Sequence, residues 1–326
     1  MSRTLPVELI RDIIFRYIDS CTPGRPSSLA REDTFLWYRA NASKPEWHAV
    51  QPLVMVSKVL REVTLEAWFR TFVIRYRADL ESLSTSVIPE TTSWTRYRPR
   101  TIELAVPLRH PSQRGFALFT RLRKLRIDAY PNDTTYVLLE LLGEMPPTIL
   151  ELEMRYHAWP NPQQLVPVAR TFPNLQTFEM HQERSWCSLC NTCNVLRLRE
   201  SPPLSITYTN GEGLPRLYRR LLAPLPHLHT VRLSVAYALT GDISLQSLKT
   251  RWRGECGDCS ALFLADEEYV PEWEAKNKAE PNPPSLREVV WTFAYTPSEM
   301  DFDIESGSNS EADEESDYGY TDEDSD

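Results

Sequence analysis

Five of the six cysteines in this 326-residue chain fall into two clusters with the spacing of metal-binding thiolates. The stretch WCSLCNTC supplies Cys187, Cys190 and Cys193, and GECGDCS supplies Cys256 and Cys259. In a Cys-x-x-Cys turn both sulfurs can face one point, so two such turns complete the tetrahedral four-thiolate shell of a structural zinc. Cys187, Cys190, Cys256 and Cys259 are the expected ligands, with Cys193 as an alternative to Cys190 and His181 as a weaker substitute. The competing reading is a set of reduced cysteines without metal. A thioredoxin-like redox pair is not expected, because neither motif sits in a βαβ context. A closed four-sulfur site has no position open to substrate, so its expected work is to pin loops together.

Other catalytic patterns are missing from the sequence: there is no Gly-rich phosphate loop, no HExxH, no GxSxG and no kinase signature. The six histidines are scattered, and His227 and His229 lie in a phrase that leads into a strand, where a framework role is expected. The chain therefore reads as a non-enzyme.

The two cysteine pairs are about 65 residues apart, so their meeting depends on the elements between them. From about residue 99 the chain repeats an apolar-x-x-apolar-x-apolar pattern: LRKLRI ending at Ile127, ILELEM at Met154, LQTFEM at Met180 and LHTVRL at Leu233. Successive end positions are 27, 26 and 53 residues apart, and the last gap predicts another copy, filled by Leu204 and Ile206 of SPPLSITY. TIELAV adds Leu104, and LREVVW adds Trp291. Leading phrases such as FTRLRKL, FPNLQTF, LPHLHTV and PPSLREV mark the turn into each strand. A period of 20 to 29 residues with an LxxLxL core is that of leucine-rich repeats, whose short strands stack in parallel. The usual Asn after the strand is missing, and an ordinary α/β domain with coincidental spacing is the other reading. In repeat register, both cysteine loops follow strand ends on one side of the stack, two repeats and so roughly 10 Å apart. Tryptophans such as Trp47, Trp68, Trp252 and Trp291 are expected to fill the repeat cores.

Ahead of the repeats stand helical patterns. LPVELIRDIIFRYID has Thr4 as expected N-cap and Pro6 in the first turn, and its apolar residues sweep roughly 220° of the circumference. A helix packed on one side needs a stripe of only about 100°, so this one has apolar surface to spare. A polar, turn-rich loop over residues 20–50 follows, with one helical turn expected near Phe35 to Tyr38. The stretch QPLVMVSKVLREVTLEAWFRTFVIRY is read as two helices parted near Thr64.

The Leu5-Pro6 start, Glu8-Leu9, the Ile13-Ile14 pair, the V-S-K-x-x-R phrase from Val56 to Arg61 and the closing WFRTFVI together resemble an F-box. More narrowly, they resemble the F-box-like domains that precede divergent leucine-rich repeats in many fungal proteins. The cysteine clusters and the phrase FLADEEYVPEWEAK are similar to that group too, whereas the 20–50 loop is longer than usual. The resemblance implies docking on a Skp-type adaptor that connects to a cullin ubiquitin-ligase scaffold, with the repeats holding a protein substrate. By position, Leu5, Pro6, Leu9, Ile10, Ile13 and Ile14 lie at or near the adaptor contact, with Val56 and Leu60 as further candidates. The alternatives are a small helical cap on the repeat stack, and a non-ligase repeat scaffold stabilised by zinc.

The expected organisation is α/β: an F-box-like helical module over residues 1–75, a leucine-rich-repeat-like body with short parallel strands over 76–299, and a disordered acidic tail over 300–326. Residues 301–326 carry 12 acidic and no basic residues, leaving 36 basic against 33 acidic elsewhere, or +3 from a whole-chain charge of −9. The tail is too charged to fold alone and reads as solubilising, with Ser308, Ser310 and Thr321 placed for acid-directed phosphorylation. A nearly neutral body with an acidic tail argues against a nucleic-acid partner. No apolar run approaches the ~20 residues of a membrane span, and charges interrupt the N-terminus where a signal peptide would be apolar. A cytoplasmic or nuclear location is expected.

Overall fold

The computed structural model describes residues 5–21, 45, 47–74, 99–104, 116, 119–128, 145–157, 162–187, 189–240, 244, 252–265 and 268–295. Thr4, the Phe35–Tyr38 turn and the acidic tail lie outside the described residues.

Among the described residues, three helices come first: α1 (Val7–Cys21), α2 (Trp47–Val56) and α3 (Lys58–Trp68). The break between α2 and α3 falls at Ser57, seven residues before the expected Thr64, which is buried inside α3. Ser57 has extended backbone (φ −156°, ψ 163°) and its hydroxyl accepts the Leu60 N–H, so a local capping bond outweighs the helical propensity of the flanking residues. Ile14, Ile18, Val50, Val63 and Ala67 form the small core of this module, with Ile10, Phe15, Leu53, Leu60 and Trp68 packed on it.

Eleven strands follow among the described residues. They are β1 (Thr71–Ile74), β2 (Thr101–Leu104), β3 (Lys124–Asp128), β4 (Glu151–His157), β5 (Thr177–Gln182), β6 (Ser185–Trp186), β7 (Cys193–Asn194), β8 (Leu196–Leu198), β9 (Ser205–Thr209), β10 (Thr230–Leu239) and β11 (Glu288–Tyr295). Between them stand α4 (Leu165–Thr171), α5 (Arg216–Leu222), α6 (Gly257–Ala265) and α7 (Tyr269–Ala279). Among the described residues, nine strands make one sheet in the order β1-β2-β3-β4-β5-β10-β11-β9, with β8 also paired to β10 and every pairing parallel except β11–β9. The chain is thus mixed α/β with a mostly parallel sheet, and β1, inside the 1–75 segment, already belongs to it.

The repeat seen in the sequence is the register of this sheet. Ile74, Leu104, Ile127, Met154, Met180, Leu233 and Trp291 form one row of paired residues across it, and all are buried. Two positions earlier, Phe72, Ile102, Leu125, Leu152, Phe178, Val231 and Val289 form a second row on the same face. The leading phrases turn the chain into each strand: Leu122, Leu175 and Leu286 donate their N–H to the carbonyls of Phe119, Phe172 and Pro283. At the starts of β2, β3, β4, β5, β10 and β11 the carbonyl just ahead of the neighbouring strand accepts two successive N–H groups, as that of Gln176 does from His229 and Thr230. The His229 backbone takes part in this ladder on both sides, its carbonyl accepting the N–H groups of Arg287 and Glu288.

The copy expected at Leu204 and Ile206 is corrected. β9 does not lie between β5 and β10, which are direct neighbours; it runs antiparallel on the far side of β11, with Leu204 87% exposed. The reason is chain length. β8 ends beside the C-terminal end of β10, and the few residues before Ser205 are too short for the crossover that a parallel return needs. β9 starts at the end of the sheet where β8 stopped, and so runs back.

Candidate metal centre

The cysteine loops leave the C-terminal ends of β5 and β10. Because these strands are adjacent, their paths are one strand spacing of about 4.8 Å apart, not the 10 Å expected from an intervening repeat. After β5 the chain folds into the β6–β7 hairpin, where Ser185 pairs with Asn194 and Trp186 with Cys193. At its tip the Cys187 N–H donates to the Thr192 carbonyl (2.8 Å) and the Asn191 N–H to the Cys187 carbonyl (2.9 Å). Asn191 takes the left-handed conformation (φ 56°) that lets so short a turn close. The chain then re-enters the sheet as β8, which pairs with Tyr237–Leu239 of β10 beyond the reach of β5.

The second loop is held by residues just ahead of Cys256. The Trp252 indole N–H donates to the Glu255 carbonyl (2.8 Å), and the Tyr208 hydroxyl donates to the Trp252 carbonyl (2.9 Å). Gly254 has φ +90°, and a Cβ there would press on Pro215 and Trp291 at 3.3 Å, so glycine is required. The Gly254 carbonyl accepts the Ser185 hydroxyl (2.9 Å), which ties one cysteine loop to the other. The Cys256 carbonyl accepts the Ser260 N–H as α6 begins, placing Cys259 in its first turn.

The sulfurs of Cys187, Cys190, Cys256 and Cys259 all lie within 4.8 Å of one another, and Cys190 Sγ is 3.7 Å from Cys256 Sγ. A tetrahedral zinc with Zn–S bonds of about 2.3 Å needs sulfurs about 3.8 Å apart. The donor set therefore fits that ion. Burial pushes the Cys187 thiol up to about 12 and Cys259 upward too, while at Cys190 bonds from the Thr192 hydroxyl and the Cys187 thiol outweigh burial and bring it to about 7. Four crowded sulfurs resist common ionisation, and a divalent cation removes that resistance.

Cys193 and His181 stand apart from this group. Cys193 is buried in β7, with its thiol pushed up to about 11 by burial. His181 Nε2 contacts the Glu179 carboxylate at 2.9 Å and Glu153 at 3.7 Å. Glu153, Glu179 and His181 have the makings of a second ligand set, but Arg155 is already on the Glu153 carboxylate and Lys124 stands 3.8 Å from it. A cation there would face those positive charges. These residues belong to a charged face of the sheet that the sequence did not reveal as buried: Glu103, Arg126, Asp128, Glu153 and Arg155 are all inside, with Arg126 bidentate on Asp128.

The positions expected to meet an adaptor divide by exposure. Leu5, Pro6, Leu9, Ile13 and Val56 are exposed, Ile10 and Leu60 are half-buried against the helical core, and Ile14 is inside it. Sequence reading missed Val7, Met55 and Val59, which are also exposed and apolar. Adjacent apolar residues in a short helix are the signal that could have found them, since one side of the helix cannot cover both. Trp252 and Trp291 fill the core with rings 4.6 Å apart, whereas Trp47 is exposed; Trp94 and Trp159 are outside the described residues. No helix among the described residues is long and apolar enough to cross a membrane. Compared with protein-family models, with curated proteins and with solved structures, the chain matches none.

Proposed function

We propose that this chain is an F-box-like substrate-recognition subunit of an SCF-type ubiquitin ligase. In this reading the N-terminal helices dock a Skp-type adaptor joined to a cullin scaffold, and the repeat-like strand body holds a protein substrate. Catalysis of ubiquitin transfer belongs to the partners. The observation that carries the reading is apolar exposure on α1 and at the α2–α3 junction: Leu5, Leu9, Ile13, Met55, Val56 and Val59 face solvent beside a module that already has its own core. Exposed apolar surface of this kind is the mark of a docking face.

The four cysteines bind one structural zinc in this reading, and the ion clamps the β6–β7 hairpin to the start of α6. The zinc holds the body in shape and takes no part in a reaction. The divergent leucine-rich-repeat reading of the body is supported by the common register row from Ile74 to Trp291.

Co-purification of the full chain with a Skp-type adaptor tests the reading. Leu5→Ala with Pro6→Ala abolishes adaptor capture while far-UV circular dichroism and melting stay unchanged. Undiminished capture by that variant overturns the assignment. A folded, zinc-loaded chain that never captures an adaptor supports the non-ligase scaffold instead.

A further inference from the structure

We propose that the four-cysteine cluster is also a redox-modification site, at which peroxide oxidises Cys190 and the product is a Cys190–Cys256 disulfide joining the two loops as the metal leaves. The inference rests on the zinc reading of the same cluster. Access singles out Cys190: it is the exposed member, while Cys187 and Cys256 are buried and Cys259 is half-buried. A solvent-borne oxidant meets Cys190 first. Cys256 on the other loop is within reach of it, since Cys190 Sγ lies 3.7 Å from Cys256 Sγ. A disulfide needs about 2.05 Å between sulfurs, so an approach of under 2 Å suffices, within the reach of side-chain rotation. The loops are already held together by the Ser185 hydroxyl on the Gly254 carbonyl at 2.9 Å.

The chemistry balances with hydrogen peroxide as the oxidant. The Cys190 thiolate attacks the peroxide; an S–O bond forms, the O–O bond breaks, and hydroxide leaves. The Cys256 thiolate then attacks the Cys190 sulfur; the S–S bond forms, the S–O bond breaks, and a second hydroxide leaves. Two thiolates have given two electrons to one peroxide. Zinc, left with Cys187 and Cys259 alone, dissociates. The same two loops are pinned in both states, by the ion when reduced and by the covalent bond when oxidised, and a dithiol with added zinc restores the first state.

The test uses the full chain. Zinc is measured first; hydrogen peroxide is then added, released zinc is read with a colorimetric chelator, and disulfides are mapped by mass spectrometry of unreduced peptides. The expected result is loss of the bound zinc together with one cross-linked peptide pair carrying Cys190 and Cys256, both reversed by dithiothreitol and zinc. Cys193→Ser gives the same result, because Cys193 is outside the four. Bonds within the pairs, Cys187 to Cys190 or Cys256 to Cys259, overturn the proposal. Retained zinc, or Cys190 driven to sulfinic acid without a disulfide, overturns it as well. A chain that holds no zinc before peroxide is added refutes the zinc reading and the metal-release step, and the peptide map still decides the cross-loop pairing.

Discussion

Ile13 and Ile14 are neighbours of identical chemistry with opposite surroundings, and the same substitution at each separates docking from folding. Ile14 is 5% exposed in the helical core and Ile13 is 55% exposed on α1. Isoleucine to alanine deletes three carbons, about 2.4 kcal/mol of apolar burial at about 0.8 kcal/mol per methylene. At Ile14 that loss adds to a cavity term, so Ile14→Ala destabilises the chain by about 2–5 kcal/mol. At Ile13 little is lost on folding, and the stability change stays within about 0.5 kcal/mol. If an adaptor covers the exposed 55% of Ile13, Ile13→Ala costs about 1.3 kcal/mol of binding, close to a tenfold rise in Kd. Urea unfolding of each full-length variant reads the first quantity, and calorimetric titration with a Skp-type adaptor reads the second. Equal stability losses at the two positions, or an unchanged Kd for Ile13→Ala, would refute the reasoning that Ile13 belongs to an interface and Ile14 to the core.

Under the zinc reading proposed above, Cys256→Ser removes a buried thiol from the four-sulfur group, and zinc per chain measured by elemental analysis falls from one to near zero. Its melting temperature drops by about 2–4 °C for each kcal/mol that the ion contributed, and a strong chelator lowers that of the parent chain in the same way. Gly213 has φ +75°, and a Cβ there would lie 2.3 Å from the Tyr208 ring, so Gly213→Ala costs about 2–5 kcal/mol by thermal unfolding, combining backbone strain with overpacking. Burial opposes ionisation of Glu153, but the positive charges of Arg155, Arg126 and His181 prevail and hold its carboxyl below the usual range. A carboxylate lowered in the folded state stabilises fully above its unfolded value of about 4.3, and that share is lost as pH falls toward the folded value. Glu153→Gln is therefore less stable than the parent at pH 7, and its stability falls less steeply below about pH 4.5. Parallel urea titrations across that range check the difference in slope.

The sequence by itself determined the features that depend on a few consecutive residues. Alternation and a leading turn make each short strand, and their even recurrence put Leu104, Ile127, Met154, Met180, Leu233 and Trp291 into one register row. Cys-x-x-Cys spacing is equally local, so the four clustered cysteines were legible as two pairs. Even the excess apolar surface of the first helix follows from residue order, since Ile13 and Ile14 cannot both point inward.

What only the tertiary structure decided was where distant segments return. Even spacing suggested a repeat between Met180 and Leu233, yet the cysteine hairpin and β8 occupy that interval, which makes β5 and β10 neighbours and sends β9 antiparallel to the far edge. That adjacency brings four sulfurs within 4.8 Å across about 65 residues of chain, and leaves Cys193 and His181 outside. The burial of Arg126, Glu153 and Arg155 is of the same kind. Periodicity states that a residue faces one side of a strand, but whether that side meets water depends on packing partners far away in sequence, and no local pattern encodes them.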